Sequence, residues 1–248
     1  MKQYGLIGFP LTHSFSQRYF TDKFGREGIS DSQYSLFEMP DVAALPALLQ
    51  TPGLRGLNVT IPHKQAVLPF LDRLDASASK VGAVNVIRLQ DDGTRVGYNS
   101  DYYGFKQSLE DWLTTLDRPL AGLRALVLGT GGASKAVTAA LTDLAIPYQS
   151  VSRSKTASTV TYDEVPALLS EYALLINCSP VGTYPHTDEV PAIPYEQLTS
   201  RHLLYDLVYN PAETQFMKRG AERGAATHNG LRMLELQAEK AWSIWQQQ

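Results

Sequence analysis

The chain has 248 residues, of which 44% are hydrophobic and 19% charged, and a formal net charge of −3; this balance suits a folded globular protein and excludes a disordered one. No general basic field is present to attract nucleic acid, so an anionic ligand must be held locally. A single cysteine, Cys178, excludes an intrachain disulfide, no zinc-type Cys/His spacing occurs, and no stretch approaches the ~20 apolar residues that span a bilayer. The expectation is a cytoplasmic protein, monomer or homodimer, with a small-molecule substrate and no metal, membrane or nucleic-acid partner.

The length favours two modest domains. In chain order, Tyr4–Gly8 reads as a strand, followed by a turn at Phe9-Pro10 and a helix beginning near Ser16. Strands are expected at Gln33–Met39, Gly56–Thr60 and Val84–Leu89, with helices around Val42–Gln50 and Lys64–Phe70. Asp91-Asp92-Gly93 turns the strand at Val84–Leu89 into Thr94–Tyr98 as a hairpin. A helix from about Tyr103 to Leu116 ends near Pro119. The mostly apolar Leu123–Leu128 then has the character of a strand buried on both faces of a parallel sheet. Strands at Tyr148–Val151, Ala173–Asn177 and Leu203–Asp206, with helices near Ser134–Leu144 and Thr214–Arg223, continue a βαβ pattern. A last helix, Met233–Trp245, sets Trp242 and Trp245 on an apolar stripe that is expected to return to the first domain.

Leu126 to Ser134 reads LVLGTGGAS, a glycine cluster set between a buried strand and a helix. Gly129, Gly131, Gly132 and Ala133 let the backbone approach a pyrophosphate, and the helix N-terminus points amide donors at it. The following strand ends at Ser152-Arg153-Ser154-Lys155, where a free ribose hydroxyl would call for Asp or Glu. Arg153 instead offers a planar fork suited to a 2′-phosphate, with Ser152, Ser154 and Lys155 as further donors, so NADP is expected over NAD.

Four stretches of the first domain place polar groups at strand ends and turns: His13-Ser14-Phe15-Ser16, Asn58-Val59-Thr60-Ile61-Pro62-His63-Lys64, Gly82-Ala83-Val84-Asn85 and Gly97-Tyr98-Asn99-Ser100-Asp101. Each residue alone has a bland role: Ser16 or Asp101 as a helix cap, Asn58 or Asn85 bonding loop backbone, His13 and His63 in structural hydrogen bonds. Together, hydroxyls and amides with few charges suit a polyhydroxylated substrate, and Lys64 with Asp101 supplies an acid–base pair.

These motifs, with Ile176–Gly182, Tyr205-Asp206, Tyr209-Asn210-Pro211 and Asn229-Gly230 through Gln237, stand in the order of the shikimate dehydrogenase family, which the chain resembles nearly end to end. The resemblance implies an α/β fold: a mixed-sheet substrate domain over 1–101, joined by the C-terminal helix 233–248, and a Rossmann-like NADP-binding domain over 102–232, with the active site in the groove between them. It implies NADPH-dependent, reversible reduction of 3-dehydroshikimate to shikimate. Lys64 and Asp101 would be the catalytic pair, with either side chain or a relaying water delivering the proton. Ser14, Ser16, Asn58, Thr60, Asn85, Tyr209 and Gln237 would bind substrate; Asn177, Gly230 and Met233 would border the cofactor beside the glycine loop. Departures from the family pattern are Gln17 for Pro, Ser100 for Thr, Ser152 for Asn, and His228–Arg232 in place of a more acidic, glycine-rich stretch. The rival readings are an NAD-linked quinate/shikimate dehydrogenase and a non-catalytic ligand sensor.

Overall fold

The computed structural model describes residues 1–11 and 14–247; His13 therefore lies outside the described residues. The chain forms two compact units, Met1–Tyr103 with Gln237–Gln248, and Gly104–Leu236. The first opens with β1 (Lys2–Gly8), α1 (Phe15–Glu27), β2 (Ser32–Glu38), a 3-10 turn leading into α2 (Leu45–Leu48), and β3 (Leu54–Val59). It continues through β4 (Arg73–Leu74), α3 (Ala76–Val81), β5 (Val86–Leu89), β6 (Arg95–Tyr98) and the start of α4 (Ser100–Thr115). The second contains β7 (Ala125–Leu128), α5 (Gly132–Asp143), β8 (Tyr148–Ser152), β9 (Thr159–Thr161), α6 (Val165–Leu168), β10 (Leu174–Asn177), β11 (Leu203–Asp206), α7 (Gln215–Ala221) and β12 (Ala226–His228). The final helix, α8 (Leu231–Trp245), begins in the second unit and ends in the first. Among the described residues no helix is long and apolar enough to cross a membrane.

The first sheet has the order β2-β1-β3-β5-β6-β4. Its β1 lies parallel to β2 and β3, whereas β5 runs antiparallel to both β3 and β6. Side chains alternate across a strand, so β1 sends Tyr4 and Leu6 to one core with Phe20, Phe24 and Trp245, and Ile7 to the other with Leu45, Leu57 and Val67. Trp245 fastens α8 to this sheet. Its indole N–H donates to the Ile87 carbonyl at 3.0 Å and its ring stacks on Tyr4 with centroids 4.9 Å apart. The same ring covers the bare backbone of Gly56, where a Cβ would come within 2.1 Å of Nε1.

The second sheet is parallel throughout, in the order β12-β11-β10-β7-β8-β9. Chain order runs outward in opposite directions from β7, which makes the gap between β7 and β10 a topological switch point, where ligands of open α/β sheets bind at the carboxyl ends. The fully buried β7, β10 and β11 match the expectation of strands covered on both faces.

Two sequence expectations change, and one element arises where none was expected. Lys64–Phe70 holds only a 3-10 turn at Leu68–Phe70, because Pro69 lacks the backbone donor that an α-helix through it would need. The helix expected over Val42–Gln50 is a 3-10 turn, Val42–Ala44, followed by the single turn of α2. Conversely, α3 forms over a span too short to show periodicity, set by its ends: the Asp75 carboxylate accepts from the Ser77 N–H at 2.8 Å, and Gly82 closes it at φ 68°.

Candidate active site

In the first unit a chain of polar side chains runs across four elements. Ser14 caps α1, its hydroxyl accepting from the Gln17 N–H at 3.2 Å, so the cap falls on Ser14 and Ser16 lies inside the helix. The buried β2 side chain Tyr34 has its ionisation strongly opposed by burial, with the Ser16 hydroxyl acting in the other direction. Tyr34 donates in turn to Asn58 Oδ1 at 2.8 Å, and the Asn58 amide reaches the Asn85 carbonyl at 3.4 Å. Asn85, buried just before β5, accepts from the Ser100 N–H at 2.6 Å and donates to its hydroxyl at 3.1 Å. Asn99 caps α4 by accepting from the Tyr102 N–H at 3.0 Å, so Asp101, in the first turn, is not needed as the cap.

Asp101 Oδ2 is 2.6 Å from Lys64 Nζ. The side chains are 8% and 22% exposed, respectively, so bulk water screens their attraction weakly while the ammonium keeps an open side. The lysine is held from below: its carbonyl accepts from the Val84 N–H at 2.7 Å, and the preceding His63 is buried with Nε2 2.5 Å from the Met39 carbonyl. His63 is thus occupied in a structural bond. Thr60 follows β3 directly, and Gln237 lies half-buried on α8 within the same unit.

The second unit holds a cavity of about 610 Å³ at the carboxyl ends of β7, β8 and β10. Gly129, Gly131, Ser152 and Arg153 line it, together with Thr130 and the Cys178–Val181 turn. At φ 103°, Gly129 takes a conformation that disfavours side chains, and a Cβ there would press on Ser179. Gly131, the residue before α5, provides no capping side chain, so the N–H groups of Gly132 and Ala133 have no side-chain cap, while that of Ser134 bonds the Gly131 carbonyl at 3.1 Å. Gly132 and Ala133 are the opening residues of α5. A cradle without Cβ atoms, a helix N-terminus and an arginine at the rim fit a dinucleotide phosphate.

Asn177 sits beneath this cavity, fully buried. Its amide donates to Asp206 Oδ1 at 2.9 Å, and its oxygen accepts from the Ser179 hydroxyl at 2.6 Å. It braces the turn and is not among the lining residues. Ser154 also lies off the lining, its N–H on the Ser152 hydroxyl at 3.4 Å, and Lys155, expected as a phosphate donor, pairs instead with Glu164 at 2.6 Å. Gly230 packs so tightly that a Cβ would lie 2.1 Å from the Leu207 carbonyl oxygen; Met233 is buried, and the phenol of Tyr209 is raised above its usual range by burial. Sequence reasoning missed Tyr34, which shows only as a strand residue, and Tyr162, a further cavity residue that follows the unforeseen β9. Cys178 is buried and its thiol pushed up by desolvation, in keeping with a small apolar side chain.

Asp206 carries a testable electrostatic signature. Fully buried, it has its pKa pushed up to about 6 by desolvation, against bonds from Thr214, Val208 N–H and Asn177 that favour the charge. A folded-state pKa above the unfolded one means that this group's stabilisation is full below about pH 4 and is lost as pH rises through about 6. Urea unfolding of Asp206→Asn against the parent is expected to shift in favour of the variant by roughly 2–3 kcal/mol between pH 4 and 7. A pH-independent difference would contradict the shift.

A parallel sheet that reverses beside a glycine turn, with its cavity at that reversal, defines the second unit as a Rossmann-type α/β unit. The profile described as "Shikimate dehydrogenase substrate binding domain" matches residues 6–87 of the first. The NADP(+) shikimate dehydrogenase of Geobacillus kaustophilus is 38% identical over 261 aligned residues, spanning 98% of this chain and 92% of that protein. Among solved structures, shikimate 5-dehydrogenase from Thermus thermophilus in complex with NADP(H) and shikimate has a TM-score of 0.80 at 30% identity, covering 99% of this chain and 94% of that one. Quinate dehydrogenase from Corynebacterium glutamicum in complex with NAD has a TM-score of 0.88 at 26% identity, with coverages of 99% and 93%. The chain belongs to the shikimate dehydrogenase family.

Proposed function

We propose that the protein catalyses the NADPH-dependent, reversible reduction of 3-dehydroshikimate to shikimate. The observation that carries this reading is the Lys64–Asp101 pair at 2.6 Å, set beside a run of hydroxyls and amides, with Lys64 inside the segment 6–87 matched to the substrate-binding domain. Bound NADPH supplies the hydride. Lys64 donates to the C3 carbonyl oxygen and stabilises the alkoxide that develops there, while Asp101 holds the ammonium in place. Ser14 and Ser16 hold the substrate carboxylate, with Tyr209 assisting. Asn58, Thr60, Asn85 and Gln237 bind its hydroxyls, their orientations set by the Tyr34–Asn58–Asn85–Ser100 chain.

On the cofactor side, the N–H groups at Gly131, Gly132 and Ala133 hold the pyrophosphate, and Gly129 gives it room. Arg153, with Ser152 and Ser154, takes the 2′-phosphate. Gly230 and Met233 border the nicotinamide, and Asn177 supports the cofactor side through the Ser179 turn.

The likeness to an NAD-bound quinate dehydrogenase gives the competing reading its weight. Against it stand the higher identity to NADP-dependent shikimate enzymes and the arginine, with no acid beside it, at the end of β8. Initial rates with shikimate and quinate, each with NADP and NAD, decide between them. Shikimate with NADP is expected to give a kcat/KM at least about tenfold above every other combination. A higher value for quinate with NAD would reverse the assignment, and no turnover with any pair would favour a ligand sensor.

A further inference from the structure

We infer that Thr159 is a positioning residue for recognition of the cofactor 2′-phosphate, acting through the loop that carries Arg153; this rests on the NADP reading above. The connection between β8 and β9 is the starting observation. The two strands are parallel, with Ser150 opposite Thr159 and Ser152 opposite Thr161, yet only residues 153–158 join them. Parallel neighbours ordinarily need a crossover of about a dozen residues or more, usually through a helix that packs on the sheet and anchors both loop ends. Here no helix intervenes, so the loop bearing Arg153, Ser154 and Lys155 must be held by its own bonds.

One hydroxyl provides three of them. Thr159 Oγ1 donates to the Ser154 carbonyl at 3.2 Å and accepts from the Thr156 N–H at 3.0 Å. Its second lone pair faces the Thr156 hydroxyl at 2.9 Å. That is one donor and two acceptor sites, the full capacity of a threonine hydroxyl. The Thr156 hydroxyl in turn receives the Ser158 N–H at 3.3 Å. The set closes a small ring directly after Arg153, fixing where the Ser154 carbonyl points and hence the backbone from which the guanidinium reaches the cavity rim.

Further fastenings are the Ser154 N–H on the Ser152 hydroxyl at 3.4 Å and the Lys155–Glu164 pair. Glu164 is itself fixed by accepting from the Thr161 N–H at 2.9 Å. The lysine side chain is 64% exposed, however, and exposed pairs contribute little. Three bonds converging on one atom outweigh it. The pair also withdraws Lys155 from the phosphate, leaving Arg153 as the cation whose position matters.

Binding of 2′,5′-ADP and of 5′-AMP, measured by calorimetry, separates this role from a general structural one, because only the first ligand presents the 2′-phosphate. Thr159→Val suits a strand and keeps the shape while removing the hydroxyl; Thr159→Ala serves as a second variant, and Thr159→Ser restores the bonding group. For Val and Ala, binding of 2′,5′-ADP is expected to weaken about five- to tenfold, the scale of one or two lost hydrogen bonds, with 5′-AMP binding and kcat at saturating NADPH within about twofold of the parent. Ser is expected to return 2′,5′-ADP binding to within about twofold. Unchanged binding, equal weakening of both ligands, or failure of Ser to rescue overturns the inference. Arg153→Ala run in parallel tells the two levels apart. If it weakens 2′,5′-ADP selectively while Thr159→Val does not, the role of Thr159 falls alone; if it is unselective, the NADP reading falls and takes this inference with it.

Discussion

Lys64→Ala will lower kcat by on the order of 10² to 10³ and leave the dissociation constant for NADPH within about twofold of the parent. The size follows from where the charge develops. A ketone oxygen gains a full negative charge as hydride arrives, and a preorganised ammonium in a water-poor setting stabilises that charge far more than it stabilises the ground-state carbonyl. The lysine is prepared for this by its 2.6 Å contact with a nearly buried carboxylate and by the backbone bond to Val84. The loss should therefore fall on kcat more than on KM. Single-turnover measurements with saturating NADPH isolate the step; a variant with a parental rate and only a raised KM would reduce Lys64 to a substrate-binding group.

Trp245→Ala is expected to produce the largest loss of stability, roughly 3–5 kcal/mol in urea unfolding. The indole is buried among Tyr4, Phe20 and Tyr34, with ring centroids at 4.9, 5.4 and 6.4 Å, and its N–H satisfies the Ile87 carbonyl. Truncation opens a cavity and strands that carbonyl at once. Trp245→Phe should recover most of the packing but not the hydrogen bond, leaving a deficit of about 1–2 kcal/mol. A loss below about 1 kcal/mol for the alanine variant would mean that the helix end does not belong to the cooperative core.

Strands with a strong apolar signature were legible: β1, β7, β10 and β11 fall within two residues of their expected limits, and β11 at Leu203–Asp206 coincides with them. The glycine turn was legible because the chemistry it permits needs residues without side chains at fixed spacing. What could not be read was set by tertiary context. Residues 64–70 carry an apolar spacing that suggests a helix, yet Pro69 and the pairing of the Lys64 carbonyl with Val84 impose an irregular path. β9 and β12 are three-residue edge strands with no alternation of their own, formed because a neighbouring strand offers a ladder. Among the polar residues, sequence brought Lys64 and Asp101 into one hypothesis, but it gave no sign that Lys155 would turn to Glu164 or that Asn177 would work from beneath its turn. A side chain's partner depends on packing that a linear pattern does not encode.

The contact of Trp245 with Gly56 has an evolutionary corollary. While the indole occupies that space, alanine at position 56 collides with it and is purged; once the ring has been replaced by something smaller, the same alanine becomes a filler of the vacated volume. The two sites are therefore coupled, so that the cost of a side chain at 56 depends on the size of the residue at 245.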